Sequence, residues 1–207
     1  MKHFQTVSFN PKLCRNQLEE FRKLLCRTKP LREREDILPF FRKNLQLAAL
    51  IGSLNPRNSR YDRIATEFHL FGDHVCDLAV GDSVSHHYCF IEFEDASTSS
   101  VFKKANGRGR QEWAPRFNCG FSQIIDWFCV LEDQKRTGLH KSKFGVDVIQ
   151  FVGVLIIGRT NHLSDDCIER LQWRSENVRI GSRQVHCLTF DQLFETLSLK
   201  LDVFAVR

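Results

Sequence analysis

Apolar residues along this chain recur in two rhythms, every second position in short stretches and every third or fourth in longer ones, which predicts strands mixed with helices. Three short strands, Ile64 to Leu70, Val75 to Val80 and Tyr88 to Glu94, are separated by the turn-forming sequences Gly72-Asp73 and Gly81-Asp82-Ser83, so they predict a meander. Before them, Leu18, Phe21, Leu24 and Leu25 predict a helix over Asn16 to Arg27, and Ile37, Phe40, Phe41, Leu45, Ala48 and Leu50 a second over Glu33 to Ile51, with Pro39 as its kink or first turn. After them, Phe117, Phe121, Ile124, Phe128 and Leu131 predict a regular helix over Pro115 to Asp133. A charged connection follows over Glu132 to Lys143. Val148 to Ile157 is nearly all apolar, as suits a strand covered on both faces. Asp165 to Arg174 reads as a helix, Gln184 to Phe190 as a fifth strand, and Thr189 with Gln192 as a capping box opening a last helix.

The strand period places the charges. Asp77 shares a face with Val75 and Ala79, and Glu92 and Glu94 share one with Tyr88 and Phe90. A buried, unpaired carboxylate is costly, so several on adjacent strands need a cation, a proton or a cluster of donors, and a divalent metal is one answer. Gln123 precedes Ile124 by about 100° of helix, at the edge of the buried stripe, where it can reach these acids. Between Asp95 and Gln111, Lys103, Lys104, Arg108 and Arg110 surround Asn106, Gly107 and Gly109, a loop that is either phosphate-binding or simply solvated.

Composition changes this picture little. With 207 residues, 42% of them apolar, the chain can bury a sizeable core, and 30 basic against 25 acidic residues give a net charge of +5, which permits a polyanionic partner without requiring one. No apolar run reaches the roughly 18 residues of a membrane span, and the first residues lack the apolar stretch of a secretory signal, so the expectation is a soluble cytoplasmic protein that meets no membrane. The eight cysteines contain no Cys-x-x-Cys pair and read as reduced thiols. His86, His87, Cys89 and Cys119 fit the spacing of no common zinc module. His86 and His87 near a turn read as surface residues, Arg159 as the partner of a helix acid, and Trp113, Trp127 and Trp173 as packing residues.

The text around the strands is more specific. Glu67 through Asp77-Leu78-Ala79, Phe90-Ile91-Glu92-Phe93-Glu94, Gln123-Ile124-Ile125-Asp126-Trp127, Ile156-Ile157-Gly158-Arg159 and Leu188-Thr189-Phe190-Asp191-Gln192-Leu193 come in an order that resembles the nuclease domain of the Shedu anti-phage defence family, within the PD-(D/E)XK superfamily. The resemblance implies an α/β fold with an αβββαβ core, a central mixed sheet and N-terminal helices, with a helical segment over 1–32 and the Shedu-like domain over 33–207. It also implies that Asp77 and Glu92 bind Mg²⁺ or Mn²⁺ with the backbone carbonyl of Phe93 as a third ligand, that Glu67 is a further acid nearby, and that Gln123 faces the site. The implied activity is hydrolysis of DNA phosphodiesters by a homo-oligomer needing no small-molecule cofactor.

One position departs from the superfamily pattern. Glu94 stands where a lysine is expected to hold the nucleophilic water. Three readings compete: Glu94 is a further metal ligand, a cation from elsewhere such as Lys103 or Lys104 takes the lysine's place, or catalysis is lost. The rivals to a nuclease are therefore a catalytically silent module that binds nucleic acid or a protein, and an interaction domain without nucleic-acid contact.

Overall fold

The computed structural model describes residues 3–104 and 110–205. Strand β1 (Gln5–Thr6) leads into helix α1 (Pro11–Leu25), which begins five residues earlier than its apolar spacing predicts. Pro11 opens the first turn with its φ already helical, and the Asn10 side chain accepts from the Leu13 N–H at 3.1 Å. The predicted single helix over Glu33 to Ile51 is broken. A π-helical turn (Glu33–Ile37) runs into α2 (Leu38–Lys43), Asn44 leaves helical geometry at φ −106° and ψ 62°, and α3 (Leu45–Leu50) follows, ending in a 3₁₀ turn. Asn44 spends its side-chain amide on the Phe40 carbonyl, a local bond that competes with the helix.

The meander forms as expected: β2 (Arg63–His69), β3 (Val75–Gly81) and β4 (His87–Phe93) are antiparallel neighbours. The stretch after β4 is more than a loop, since β5 (Phe102–Lys103) pairs with β6 (Glu112–Trp113). Arg108 lies outside the described residues. Helix α4 (Pro115–Asp133) is followed by α5 (Gly138–Phe144), a helix where charged residues predicted a connection. Thr137 caps it and Gly145 closes it in the left-handed conformation. Strand β7 (Gln150–Ile156), helix α6 (Asp165–Asn177), a hairpin of β8 (Arg179–Ile180) and β9 (Arg183–Leu188), and helix α7 (Phe190–Ala205) complete the chain. The capping box is present: Thr189 N donates to Gln192 Oε1 at 2.9 Å and Gln192 N to Thr189 Oγ1 at 3.1 Å.

Seven strands make one mixed sheet in the order β1-β2-β3-β4-β7-β9-β8, parallel at β4–β7 and β7–β9 and antiparallel elsewhere. The alternation of side chains splits the core in two. Leu78, Val80, Cys89, Ile91, Val154 and Ile156 face α1, α2, α3 and α7, while Ala65, Ala79, Phe90, Leu155 and Val185 face α4, α5 and α6. Central β7 is thus covered on both faces, as its unbroken apolar run predicts. Arg159 locks the ends of two helices: its fork takes Asp191 at 2.8 and 2.9 Å, and Nη1 donates to the Leu25 carbonyl at 2.7 Å. All eight cysteines are free thiols. Among the described residues no helix is long and apolar enough to cross a membrane.

Helix α4 approaches the sheet closely because Gly153 on β7 has no side chain. A Cβ there would overlap Ile124 and crowd the Phe128 ring. Gly153→Ala is therefore expected to cost about 1–3 kcal/mol by overpacking. An unchanged melting temperature in thermal unfolding would show that α4 does not bear on β7 at this point.

Candidate active site

A cavity of about 780 Å³ opens where α4 passes the end of β4, and Asp77, Glu92, Glu94, Glu67 and Gln123 all line it. Four elements deliver the five residues named above. Asp77 and Glu92 come from adjacent strands on the face that α4 covers, Glu94 follows β4 by one residue, and Gln123 looks down from α4. Glu67 lies on β2 between the pairs Thr66–Leu78 and Phe68–Cys76, hence level with Asp77. Its backbone is left-handed, with φ at 48°, an unusual conformation for a glutamate in a strand. Glu67 Oε1 meets Arg42 Nη2 of α2 at 2.6 Å.

The two central acids are in different states of satisfaction. Asp77 Oδ2 accepts the Phe93 N–H at 2.8 Å, so the last residue of β4 positions the acid of β3. Glu92 is only 7% exposed, with Gln123 within hydrogen-bonding reach and its buried Oε2 without a partner among the described residues. Gln123 Nε2 is also held by the Val75 carbonyl at 3.4 Å. Burial raises the carboxyls of both Asp77 and Glu92 above the ordinary range, and neighbouring carboxylates push Glu92 further. Asp82 is the contrast within the same sheet. It is equally buried, yet it accepts from Ser59 N and Oγ, Arg60 N, Val84 N and Ser85 N, and against the effect of burial these bonds hold it well below the carboxylate range. A structural acid in this protein is saturated with donors; Glu92 is not.

Glu94, also 7% exposed, has its own cation. Arg116 Nη1 lies 2.6 Å from Glu94 Oε2 and 3.6 Å from Glu33, and Nη2 lies 3.4 Å from Asp95. The cation beside Glu94 is therefore Arg116, not Lys103 or Lys104, which are exposed on the β5–β6 hairpin and outside the lining of the cavity. Burial still raises Glu94 despite that partner, and raises Glu33 as well. Gly120 makes room: a Cβ on it would stand 2.8 Å from Leu155 Cδ1 and 3.2 Å from Glu94 Oε1.

Glu33, Arg34, Arg42 and Arg116 are site residues that the sequence reading passes over. Arg116, Gly120 and Gln123 stand at i, i+4 and i+7 on one face of α4, a polar-small-polar stripe in an apolar helix, and that spacing is a legible signal. Glu33 carried none. Its place depends on the π turn, where its N–H donates to Asp95 Oδ1 at 2.8 Å across the chain.

Other expectations change. Trp127 is fully buried and Trp113 stacks on Phe117, but Trp173 is 64% exposed, because α6 turns it away from β9. Trp173 lines a second cavity, of about 420 Å³, with Arg110, Trp113, Arg170 and Arg174. His86 and His87 are half-buried rather than on the surface. Among the described residues no three His, Cys, Asp or Glu side chains come together at a metal position, and Cys89, buried on the α1–α3 side of the sheet, lies apart from Cys119, exposed on α4.

The architecture is that of an α/β protein whose mixed sheet presents buried, under-satisfied carboxylates beside a helix. The family described as "Shedu protein SduA, C-terminal" matches residues 31–194, and the chain belongs to that family. Membership associates it with anti-phage defence. A comparison with curated proteins finds no match.

Proposed function

We propose that this chain is a metal-dependent DNA endonuclease with a PD-(D/E)XK-like core, acting in anti-phage defence. The observation that carries the reading is the buried Glu92 Oε2, without a partner among the described residues, beside Asp77 and opposite Gln123. The donor set fits a hard divalent ion. Asp77, Glu92 and the Phe93 carbonyl would hold Mg²⁺ or Mn²⁺, leaving positions for water and a phosphate oxygen. Such an ion supplies a water of lowered pKa and charge stabilisation at the phosphodiester.

The chain's own residues prepare the rest. Burial favours the protonated form of Glu92, so a divalent ion held here would have to displace that proton. Gln123 orients the Glu92 carboxylate, and the Phe93 N–H fixes Asp77. Arg116 neutralises Glu94, and Arg42 neutralises Glu67, so the cavity's acids do not all oppose an approaching phosphate. Lys103, Lys104 and Arg110 stay the proposed DNA contacts, and Trp173, Arg170 and Arg174 extend them. Arg174 lies over the rings of Phe117 and Phe121, on the helix that carries Arg116, so the basic surface adjoins the acids across α4.

The silent binding module is the second reading, favoured by the absence of a lysine at position 94. Cleavage of linear and supercoiled DNA by wild type and Asp77→Ala, with Mg²⁺, Mn²⁺ or chelator, separates the two. Cutting that needs metal and falls by about 10³-fold or more in the variant is the expected result. Folded protein that never cuts, with salt-sensitive DNA binding kept or improved in Asp77→Ala, establishes the silent module instead.

A further inference from the structure

Strand β4 borders the acidic cavity near its end and, together with β7 and β9, a basic cavity at its start. His87 starts β4 opposite Gln150 of β7, five residues before Glu92, or about 16 Å along the strand. There, a cavity of about 400 Å³ is lined by Arg57, His87, Arg179, Arg183 and His186, with Asn55, Gln150 and Gln184. No carboxylate is among the lining residues described. Arg183 is held in place, stacked 4.3 Å over Phe151 and paired from outside the lining with Glu132.

Just behind this lining, both ring nitrogens of His87 and Nε2 of His186 are buried without a hydrogen-bond partner among the described residues, while Arg183 turns to the other face of the sheet, over Phe151. The exposed guanidinium groups of Arg57 and Arg179 beside these two imidazoles, with no carboxylate among the described lining residues, favour an anion over a cation. The volume is many times that of one water, about 30 Å³. An oxyanion, with several acceptor oxygens, matches the guanidinium donors of Arg57 and Arg179.

We propose that this cavity is a phosphate-binding site, remote from the acid cluster, for the phosphate of a small phosphorylated molecule or of a nucleic-acid backbone. In the free protein, burial and the neighbouring Arg179 hold His186 neutral, with its pKa lowered to about 4, so the ligand's charge meets the arginines first. The proposal is independent of nuclease activity, and its test reads no cleavage.

Titration calorimetry with pyrophosphate, and imidazole ¹H–¹⁵N spectra of the labelled protein, test it directly. Pyrophosphate is expected to shift the ring signals of His87 and His186, and Arg57→Glu and Arg179→Glu, both on exposed side chains, are each expected to weaken binding by about tenfold or more. An oligonucleotide without terminal phosphates separates the sources: shifts at the same two rings assign the site to a nucleic-acid backbone, and their absence assigns it to a small phosphorylated ligand. Ring signals untouched by either probe, or an unchanged pyrophosphate affinity in the folded charge-reversal variants, overturn the proposal.

Discussion

Glu92→Gln is expected to lower metal-dependent DNA cleavage by about 10³-fold or more while raising the melting temperature of the metal-free protein at neutral pH. The loss follows from replacing an anionic oxygen ligand by a neutral amide. The gain follows from burial. Folding raises the Glu92 carboxyl above its unfolded value, so the native state binds the extra proton over the interval between the two. The associated stability is fully present below the ordinary carboxylate range and is lost as pH rises through the folded value. Asp77, Glu94 and Glu33 are shifted the same way and add to this loss as pH rises, while His186, lowered to about 4, works in the opposite sense up to the ordinary histidine range. Glutamine imitates the protonated acid at every pH. Wild type and variant should therefore unfold alike near pH 4 and diverge by about 1–3 kcal/mol near pH 8, or several degrees in melting temperature. Adding Mg²⁺ should raise the wild-type melting temperature and leave that of Glu92→Gln nearly unmoved. Thermal unfolding in chelator across pH checks this, and a variant less stable at every pH would show that the Glu92 charge is already compensated within the protein.

Arg116→Met is expected to destabilise the fold by about 2–4 kcal/mol, because it leaves Glu94 buried without its cation. The figure sits toward the low side of a broken buried pair, since Arg116 is 43% exposed and water screens part of its charge. The double variant Arg116→Met with Glu94→Gln should recover most of the loss, the remainder reflecting the weaker approaches of Arg116 to Glu33 and Asp95. The defect also has a pH signature. Without the guanidinium, the Glu94 carboxyl rises further, so the variant matches wild type in acid and falls behind as pH increases. Urea unfolding of the four-member cycle at pH 5 and pH 8 measures both effects. A double variant as weak as the single one would place the role of Arg116 in packing rather than charge.

The sheet was legible because its information is local. Alternation set β2, β3 and β4, the apolar run set β7, and Thr189 with Gln192 announced α7 through side chains that bond their own backbone. Strand parity put Glu92 with Glu94 and Asp77 with Ala79 before any contact was known, but that these two faces are the same one follows only from the register of β3 against β4. What was illegible is what distant segments contribute. Glu33 reaches the cavity only because its N–H meets Asp95, 62 residues away. The break at Asn44 depends on one side-chain bond, and α5 on a Thr cap and a left-handed Gly that the charged residues around them concealed. Trp173 shows the opposite error: aromatic residues usually pack, but on α6 the buried stripe runs through Cys167 and Leu171 and leaves the indole outside.

The left-handed backbone at Glu67 has a consequence for reading variation in this protein. A non-glycine residue in that conformation costs about 1–2 kcal/mol, and glycine would relieve it. Glycine would also remove the carboxylate that pairs with Arg42 at the rim of the acidic cavity. A screen that rewards folding and one that rewards function would rank substitutions at residue 67 in opposite orders, and the distance between the two rankings measures what the acid is for.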